Sequence, residues 1–333
     1  MPSKLSKYRG TSMFQPFPKI GQFRNVVKDI RDIAESSTIT HLSFIGTVKL
    51  HGTNAAISYS VQKDKVYYQS RSRLIQPLND NAGFATWAES IETDWHYFLQ
   101  DIADGKDVIV YGEWCGGNIQ RGVALTNMPK MFVMFAAEIE GKHIPLSSLH
   151  LSSDSHGLLE RADVFFIDDF PVYEETVDLQ MPENSINRLT ELTLAVEDQC
   201  PVAHALGVTG VGEGIVWRCT HPSHTDLLFK VKGEKHSVSK VKTLAAVDPE
   251  KLNSMREFVE YAVTENRLNQ GVEVLGLDQK NVGNFIGWVS KDVWTEEQDV
   301  LEANNLTMRD VGKFIANKAR HFYLTKLNNE VFA

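Results

Sequence analysis

Short runs of apolar residues interleaved with polar ones fill much of the first 243 residues and predict β-strands. Alternate side chains of a strand lie on opposite faces, so each run has one face suited to a core. The predicted strands are 40–48, 54–61, 65–70, 107–114, 131–139, 163–167, 214–219 and 227–232.

Two segments of the same region have apolar residues at helical spacing. They predict helices over 84–103 and 185–199. In the first helix, a stripe that includes Trp87, Trp95 and Phe98 recurs on one side. This stripe predicts a buried face rather than a binding surface, because its period matches one side of a helix.

Beyond residue 249 the strand pattern stops. The predicted helices there are 252–267, 280–290, 295–303 and 307–328. Asp248 and Pro249 are a suitable N-cap and first residue for the first of them. The sequence therefore predicts an α+β fold, with one domain over 1–243 and a small all-helical domain over 244–333.

Composition and charge limit the possible classes of protein. A chain of 333 residues with 42% hydrophobic and 23% charged residues is typical of a globular protein of one or two domains. A formal charge of −9 argues against indiscriminate coating of nucleic acid but permits a local basic face. The most apolar run, 131–137, is too short to span a bilayer. Three scattered cysteines are too few for a disulfide framework. We therefore expect a cytoplasmic protein with no membrane partner, and a monomer by default.

Candidate chemistry begins with the run Lys-Leu-His-Gly-Thr-Asn at 49–54. It places Lys49 at the end of a predicted strand, before a turn in which Gly52 permits close backbone approach. A deprotonated lysine there can attack a carbonyl, giving a Schiff base, or a phosphorus, giving a phosphoramidate. A surface lysine before a turn glycine is also common, so this motif alone does not decide the chemistry.

Further charged clusters follow at other strand ends. Arg71 follows a predicted strand, where a guanidinium can hold phosphate or simply remain solvated. Glu113 lies beside a glycine near the end of another predicted strand. A carboxylate there can bind a hydroxyl or a metal, and the alternative is an ordinary surface acid. Glu213 is flanked by two glycines, which lets its carboxylate approach a ligand or Mg²⁺ closely.

The last cluster is a pair of lysines on one predicted strand. Lys230 and Lys232 are two residues apart, so they lie on the same face. Two ammonium groups side by side repel each other, and an anion between them is a natural reason for the pair. A solvated edge strand is the alternative.

In this order, the clusters resemble the signature of the covalent nucleotidyltransferase superfamily of ATP-dependent polynucleotide ligases and capping guanylyltransferases. That signature is K-x-[DH]-G, an arginine, a Gly-Glu element, E-G-[IVL]-V and K-x-K. His51 at the variable position is similar to the RNA ligases. The nick-sealing RNA ligase 2 branch, found in phages and trypanosome editing complexes, is similar in the runs 116–120 and 132–135 and in a helical C-terminal domain that here contains 265–268. The resemblance implies an adenylyltransferase domain of antiparallel sheets with flanking helices.

The resemblance also implies roles for individual residues. Lys49 would become adenylylated by ATP, and Lys230 and Lys232 would contact the α-phosphate. Glu213 would hold the catalytic Mg²⁺ or Mn²⁺. Arg71 would contact a phosphate.

The remaining implied roles concern the nucleoside. Glu113 would contact the ribose and Phe135 would stack on adenine, although a core role for this ring stays open. His51 and Asn54 would shape the nucleotide pocket. Val48 stands where this branch often has an acid, so contacts to the adenine edge or the environment of the lysine are expected to differ.

These roles imply an ATP-dependent RNA ligase that joins 3′-hydroxyl and 5′-phosphate ends through a lysyl-AMP and an RNA-adenylate. Its expected partner is nicked or structured RNA, in the host cytoplasm if a phage encodes the chain. The alternatives are a DNA ligase, a GTP-using capping enzyme, or a catalytically silent homologue that binds RNA or nucleotide. The intact lysines and Glu213 argue against the silent homologue.

Overall fold

The computed structural model describes residues 14–144, 146, 149, 156–233, 235, 255–303 and 306–331. The chain forms two compact units, each assembled from segments that are separated in sequence. The first comprises Met1–Lys19, Thr47–Tyr173 and Gln199–Gly212, and the second comprises Ile20–Gly46, Glu174–Asp198 and Glu213–Ala333. The predicted domain boundary at 243 and 244 lies outside the described residues, as do Asp248 and Pro249.

The described residues form twelve strands and ten α-helices. The strands are β1 Gly21–Gln22, β2 His41–Lys49, β3 Thr53–Ser60, β4 Lys65–Ser70, β5 Leu74–Ile75, β6 Val108–Cys115, β7 Met131–Ile139, β8 Lys142–Ile144, β9 Val164–Phe166, β10 Val172–Asp178, β11 Gly214–Cys219 and β12 Leu228–Lys232. The α-helices are α1 Phe23–Ser36, α2 Phe84–Ser90, α3 Glu92–Ala103, α4 His156–Leu159, α5 Ile186–Asp198, α6 Pro201–Ala205, α7 Met255–Ala262, α8 Glu265–Leu275, α9 Val282–Ala303 and α10 Met308–Val331.

The first unit is built on a seven-stranded sheet with the order β5-β4-β3-β6-β7-β8 and with β9 paired to β7. The pairs are antiparallel except that of β7 with β9. Helices α2 and α3 pack on this sheet through aromatic rings. Trp87 lies 4.7 Å from Trp114 and Trp95 lies 5.8 Å from Phe132, between ring centroids. The predicted aromatic stripe is therefore core, as expected.

A five-stranded sheet with the order β1-β12-β11-β2-β10 forms the basis of the second unit. Helix α1 packs on it through Phe23, whose ring centroid lies 4.9 Å from that of Phe229. Helices α7 to α10 share a separate apolar core around Phe285 and Tyr323. The predicted α+β class, with a helical C-terminal region, is confirmed.

Several predicted boundaries are wrong. The helix predicted over 84–103 is interrupted at Ile91 (φ −128°, ψ 29°), which separates α2 from α3. The helix predicted over 252–267 breaks before Thr264, whose side chain accepts a hydrogen bond from the Arg267 amide and caps α8. Thr264 is a favourable N-cap residue, and the apolar periodicity on either side hid that signal.

Two further boundaries differ as well. The predicted helices 280–290 and 295–303 are one element, α9, with non-helical backbone only at Glu297. The sequence prediction also omits helix α1, although its buried Phe23, Val26 and Ile30 recur at helical spacing, and strand β10, whose polar residues dilute its apolar pattern. No helix in the described ranges is long and apolar enough to cross a membrane.

Candidate active site

In the first unit, the turn that follows Lys49 is held by three side chains from other segments. Lys49 is half-buried at the end of β2, between buried Val48 and Leu50. The Gly52 amide donates to Glu113 Oε1 at 2.9 Å, and Gln120 Nε2 donates to the Gly52 carbonyl at 3.3 Å.

Asn81 completes this arrangement by donating to Thr53 Oγ1 at 3.0 Å. His51 lies half-buried within the turn. Backbone groups of a turn need such partners when they are shielded from water. The backbone beside Lys49 is therefore fixed by side chains from segments distant in sequence.

Gly52 is required here by packing. A Cβ at this position would lie 2.3 Å from the Trp114 carbonyl oxygen and 2.8 Å from Cys115 Cβ. The close approach expected from the sequence is therefore an approach to strand β6. Glu113, expected to contact a ribose, bonds the Gly52 amide in this structure.

Asn54 presents an unsatisfied acceptor near this turn. It pairs with Glu113 across β3 and β6. Its Oδ1 atom is buried and has no hydrogen-bond partner among the described residues. A buried polar atom without a partner is costly, so a donor from a bound molecule is a physical reason for its position.

Phe135 occupies an irregular position in β7. The register moves from Tyr111 paired with Ala136 to Gly112 paired with Met134, so Phe135 is the extra residue of a β-bulge. Its half-buried ring makes an edge-to-face contact with Phe17, with centroids 5.0 Å apart.

Arg71 and Arg73 have different environments. Arg71 is exposed just after β4. Arg73 donates to the backbone carbonyls of Asn79 at 2.8 Å and Asp80 at 3.2 Å, so it stabilises its own loop.

The second unit holds the glutamate and the lysine pair. Alternation in β12 buries Phe229 and Val231 and leaves Lys230 and Lys232 half-buried on the other face, as predicted. Lys232 Nζ lies 3.0 Å from Glu213 Oε1. Because Glu213 is only 2% exposed, this ion pair is largely shielded from water.

Gly214 allows this pairing. Its φ is +151°, and a Cβ there would lie 2.1 Å from the Val231 carbonyl oxygen. Of the two glycines beside Glu213, this one is therefore required for the close approach of β11 and β12.

The charge balance around Lys232 favours its ammonium form. Burial lowers the pKa of Lys232, but the Glu213 carboxylate, with smaller contributions from Glu296 and Asp292, raises it above the ordinary value. An ammonium group maintained in this way is suited to binding an anion.

Glu296 is a further neighbour of the lysine pair that no sequence motif indicates. Its Oε2 lies 3.1 Å and its Oε1 3.3 Å from Lys230 Nζ. The residue is 66 positions from Lys230 in the chain, and no short motif links the two.

The structure thus holds a strand-end lysine, an acid bonded to the turn that follows it, and a lysine pair on one face of β12. A profile of the RNA ligase family matches residues 42–232, which is more than half of the chain. The chain belongs to the RNA ligase family.

Solved structures of Naegleria gruberi RNA ligase are also similar to this chain. A lysine mutant with ATP and Mn has 15% identity and a TM-score of 0.46, and the match covers 67% of this chain and 57% of that chain. The form with PPi has 17% identity, a TM-score of 0.44 and the same coverage. The match therefore spans less than two thirds of the length of the Naegleria chains. A search of curated proteins finds no match.

Proposed function

We propose that this protein is an ATP-dependent RNA ligase that joins 3′-hydroxyl and 5′-phosphate ends through a lysyl-AMP intermediate. The observation that carries the proposal is the family match over residues 42–232, which contains every candidate site residue from Lys49 to Lys232. The buried, unsatisfied Oδ1 of Asn54 adds a reason to expect a bound ligand near the turn after Lys49.

The first step forms one bond and breaks another at the α-phosphorus of ATP. The neutral amine of Lys49 attacks, a P–N bond forms, the bond to pyrophosphate breaks, and the nitrogen releases one proton to solvent. Lys230 and Lys232 bind the α-phosphate oxygens, whose negative charge increases during the attack. Glu113 holds the turn through Gly52 and so orients Lys49, in addition to its expected contact with the ribose.

The next two steps transfer AMP and seal the strand. An oxygen of the RNA 5′-phosphate attacks the lysyl-AMP, so the P–N bond breaks and the Lys49 nitrogen takes up a proton and leaves as a free amine. The 3′-hydroxyl then attacks the activated 5′-phosphorus and AMP departs. Arg71, exposed after β4, is assigned to a phosphate contact, while Phe135, His51 and Val48 are assigned to the nucleoside pocket.

The available donors fit a divalent metal bound mainly through the nucleotide. Within the described ranges, no group of three or more His, Cys, Asp or Glu side chains is arranged to hold a metal ion. Mg²⁺ usually takes one or two carboxylates together with water and phosphate oxygens. We assign the carboxylate to Glu213; Mg²⁺ or Mn²⁺, when bound, would neutralise charge on the phosphates.

The deciding experiment is incubation with α-labelled ATP and Mg²⁺ followed by denaturing electrophoresis. We expect label on the wild type and none on Lys49→Ala. Lys63→Ala, which removes an exposed lysine, is the matched control and should take label as the wild type does. Labelling by GTP instead would favour a capping enzyme. Folded, non-adenylylated protein that takes no label from either nucleotide would overturn the ligase proposal in favour of a binding protein.

Substrate class needs its own measurement. We expect the labelled enzyme to join a nicked RNA duplex carrying a 3′-hydroxyl and a 5′-phosphate, and to lose its label in doing so. Equal or faster sealing of the matched DNA nick would contradict the RNA assignment.

A further inference from the structure

Lys230, which the proposed function assigns to the α-phosphate, is already paired with a carboxylate. Glu296 from helix α9 lies 3.1 Å from the lysine through Oε2 and 3.3 Å through Oε1. The two side chains are only 14% and 15% exposed. An ion pair so poorly hydrated is screened less by salt than a surface pair.

The backbone of α9 is distorted next to Glu296. Glu297 has φ −121° and ψ 19°, outside the helical region. Its fully buried carboxylate accepts hydrogen bonds from Arg24 at 2.6 Å and Arg267 at 3.0 Å. Arg24 Nη2 also donates to the Glu296 carbonyl at 3.3 Å. A buried network from α1 and α8 therefore fixes the position from which Glu296 reaches Lys230.

The same network has further anchors on α1 and α7. Arg24 Nε lies 3.0 Å from Asp299, and Asn25 donates to the same carboxylate oxygen at 2.7 Å. Tyr261 donates to Glu297 at 3.2 Å. These contacts hold both sides of the distorted segment, so the placement of Glu296 does not depend on an exposed helix end.

Glu296 and Glu213 differ in how they reach the lysine pair. Glu213 directly precedes β11, and its neighbour Gly214 is paired in register with Lys232. Sheet register therefore keeps Glu213 beside Lys232. Glu296 is carried by a helix whose backbone is held by the buried network, so a rotation of its side chain alone releases Lys230 without disturbing the sheet.

A phosphate and a carboxylate compete for the same ammonium group. An anionic phosphate that approaches Lys230 is repelled by Glu296 as long as the carboxylate stays in place. From this geometry we propose that Glu296 is a displaceable counter-ion that binds Lys230 until the α-phosphate of a nucleotide replaces it. Glu296 thereby sets the affinity for the nucleotide from outside the motifs of the RNA ligase family. The inference rests on the proposed function, because it takes Lys230 as a phosphate ligand.

Calorimetric titration of ATP with Mg²⁺ tests this inference without turnover. The proteins compared are Lys49→Ala and Lys49→Ala/Glu296→Gln, because glutamine keeps the size of the side chain and removes its charge. We expect the dissociation constant for ATP to be lower in the double variant by about fivefold or more, the scale of a typical coupling between two binding groups. Glu302→Gln in the same background is the matched control. This exposed acid is on the same helix, and we expect a change of less than about twofold.

Adenosine separates a phosphate effect from a general effect on the pocket. It lacks the α-phosphate, so Glu296→Gln should leave its binding unchanged. Melting temperatures of all variants verify that they are folded, and Glu296→Asp, which keeps the charge, should bind ATP much as the parent does.

Three results would overturn the inference alone: ATP binding that is unchanged or weaker in folded Glu296→Gln, an equal gain in Glu302→Gln, or an equal gain for adenosine. Failure of every variant to bind ATP would overturn the proposed function as well. The two failures are therefore distinguishable.

Discussion

At the scale of single residues, Gly52 couples packing to the candidate nucleophile. Its missing side chain lets the turn after Lys49 lie against β6, and its amide is bonded to Glu113. Any Cβ must push back the Trp114 carbonyl or move the turn, and both changes disturb the backbone beside Lys49.

Gly52→Ala is expected to lower the free energy of unfolding by about 1–3 kcal/mol, the usual cost of overpacking a closed site. Lysyl-AMP formation should slow more than stability alone accounts for. Chemical denaturation and the labelling assay measure the two effects. Gly287→Ala is the control, because Gly287 is exposed on α9 and has open space where a Cβ would lie. We expect this variant to raise the free energy of unfolding by as much as about 1 kcal/mol. Full activity and stability in Gly52→Ala would refute this account of the turn.

At the scale of elements, the buried ion network fixes helix α8 to α9. Arg267 is fully buried and bonds Asp292 at 2.8 Å, Glu297 at 3.0 Å and the Ala262 carbonyl. Removing the Arg267 side chain leaves the fully buried Glu297 carboxylate with only Arg24 as a cationic partner among the ion pairs described here. The helix boundary at Thr264 and the irregular backbone at Glu297 are both close to this network.

We expect Arg267→Ala to cost about 3 kcal/mol of stability, as for other buried ion pairs that lose one partner. Arg320 is an exposed arginine on α10, so Arg320→Ala should change the free energy of unfolding by no more than about 0.5 kcal/mol. Urea denaturation of the two variants provides the comparison, and similar losses would mean that the network contributes little.

The break between α2 and α3 illustrates a limit of sequence periodicity. The apolar stripe continues through Ile91 without a glycine or proline, so the pattern predicted one helix. In the structure, Trp87 packs on Trp114 and Trp95 packs on Phe132, and the helix is interrupted between them. Packing against the sheet decides the break, which local propensity does not encode.

At the scale of the whole molecule, several carboxylates make stability depend on pH. Burial raises the pKa of Asp80, but the hydrogen bonds it accepts from Thr86 and its neighbours outweigh burial and hold the pKa below the ordinary value. Burial likewise raises the pKa of Asp163, and Arg161 and Trp87 together lower it further than burial raises it. A lowered carboxyl pKa contributes stability above the unfolded pKa, and this contribution is lost as the pH falls through the folded pKa.

The double variant Asp80→Asn/Asp163→Asn should therefore be less stable than wild type at pH 6, and the gap should narrow as the pH falls towards 2. Thermal unfolding across this range measures the difference in stability between the variant and wild type.

Glu138→Gln is expected to behave in the opposite way. Burial raises the pKa of Glu138 and the bond from Gln15 offsets this only in part, so its ionised form is disfavoured in the folded protein. The variant should gain stability over wild type as the pH rises, and a pH-independent gap in either comparison would contradict these assignments.

The amino-acid sequence by itself determined the strand positions and the order of the charged clusters. Strands β4, β7 and β11 begin and end at the predicted residues, and Lys230 and Lys232 share a face as the alternation requires. These features are local: strand period and motif spacing depend only on neighbours in the chain.

Only the tertiary structure decided which distant side chains meet these clusters. Gly52 and Glu113 are 61 residues apart, and Lys230 and Glu296 are 66 residues apart. Neither pair has a periodic or compositional signal, because each depends on how sheets and helices pack. For the same reason, each of the two compact units is assembled from segments that are separated in sequence.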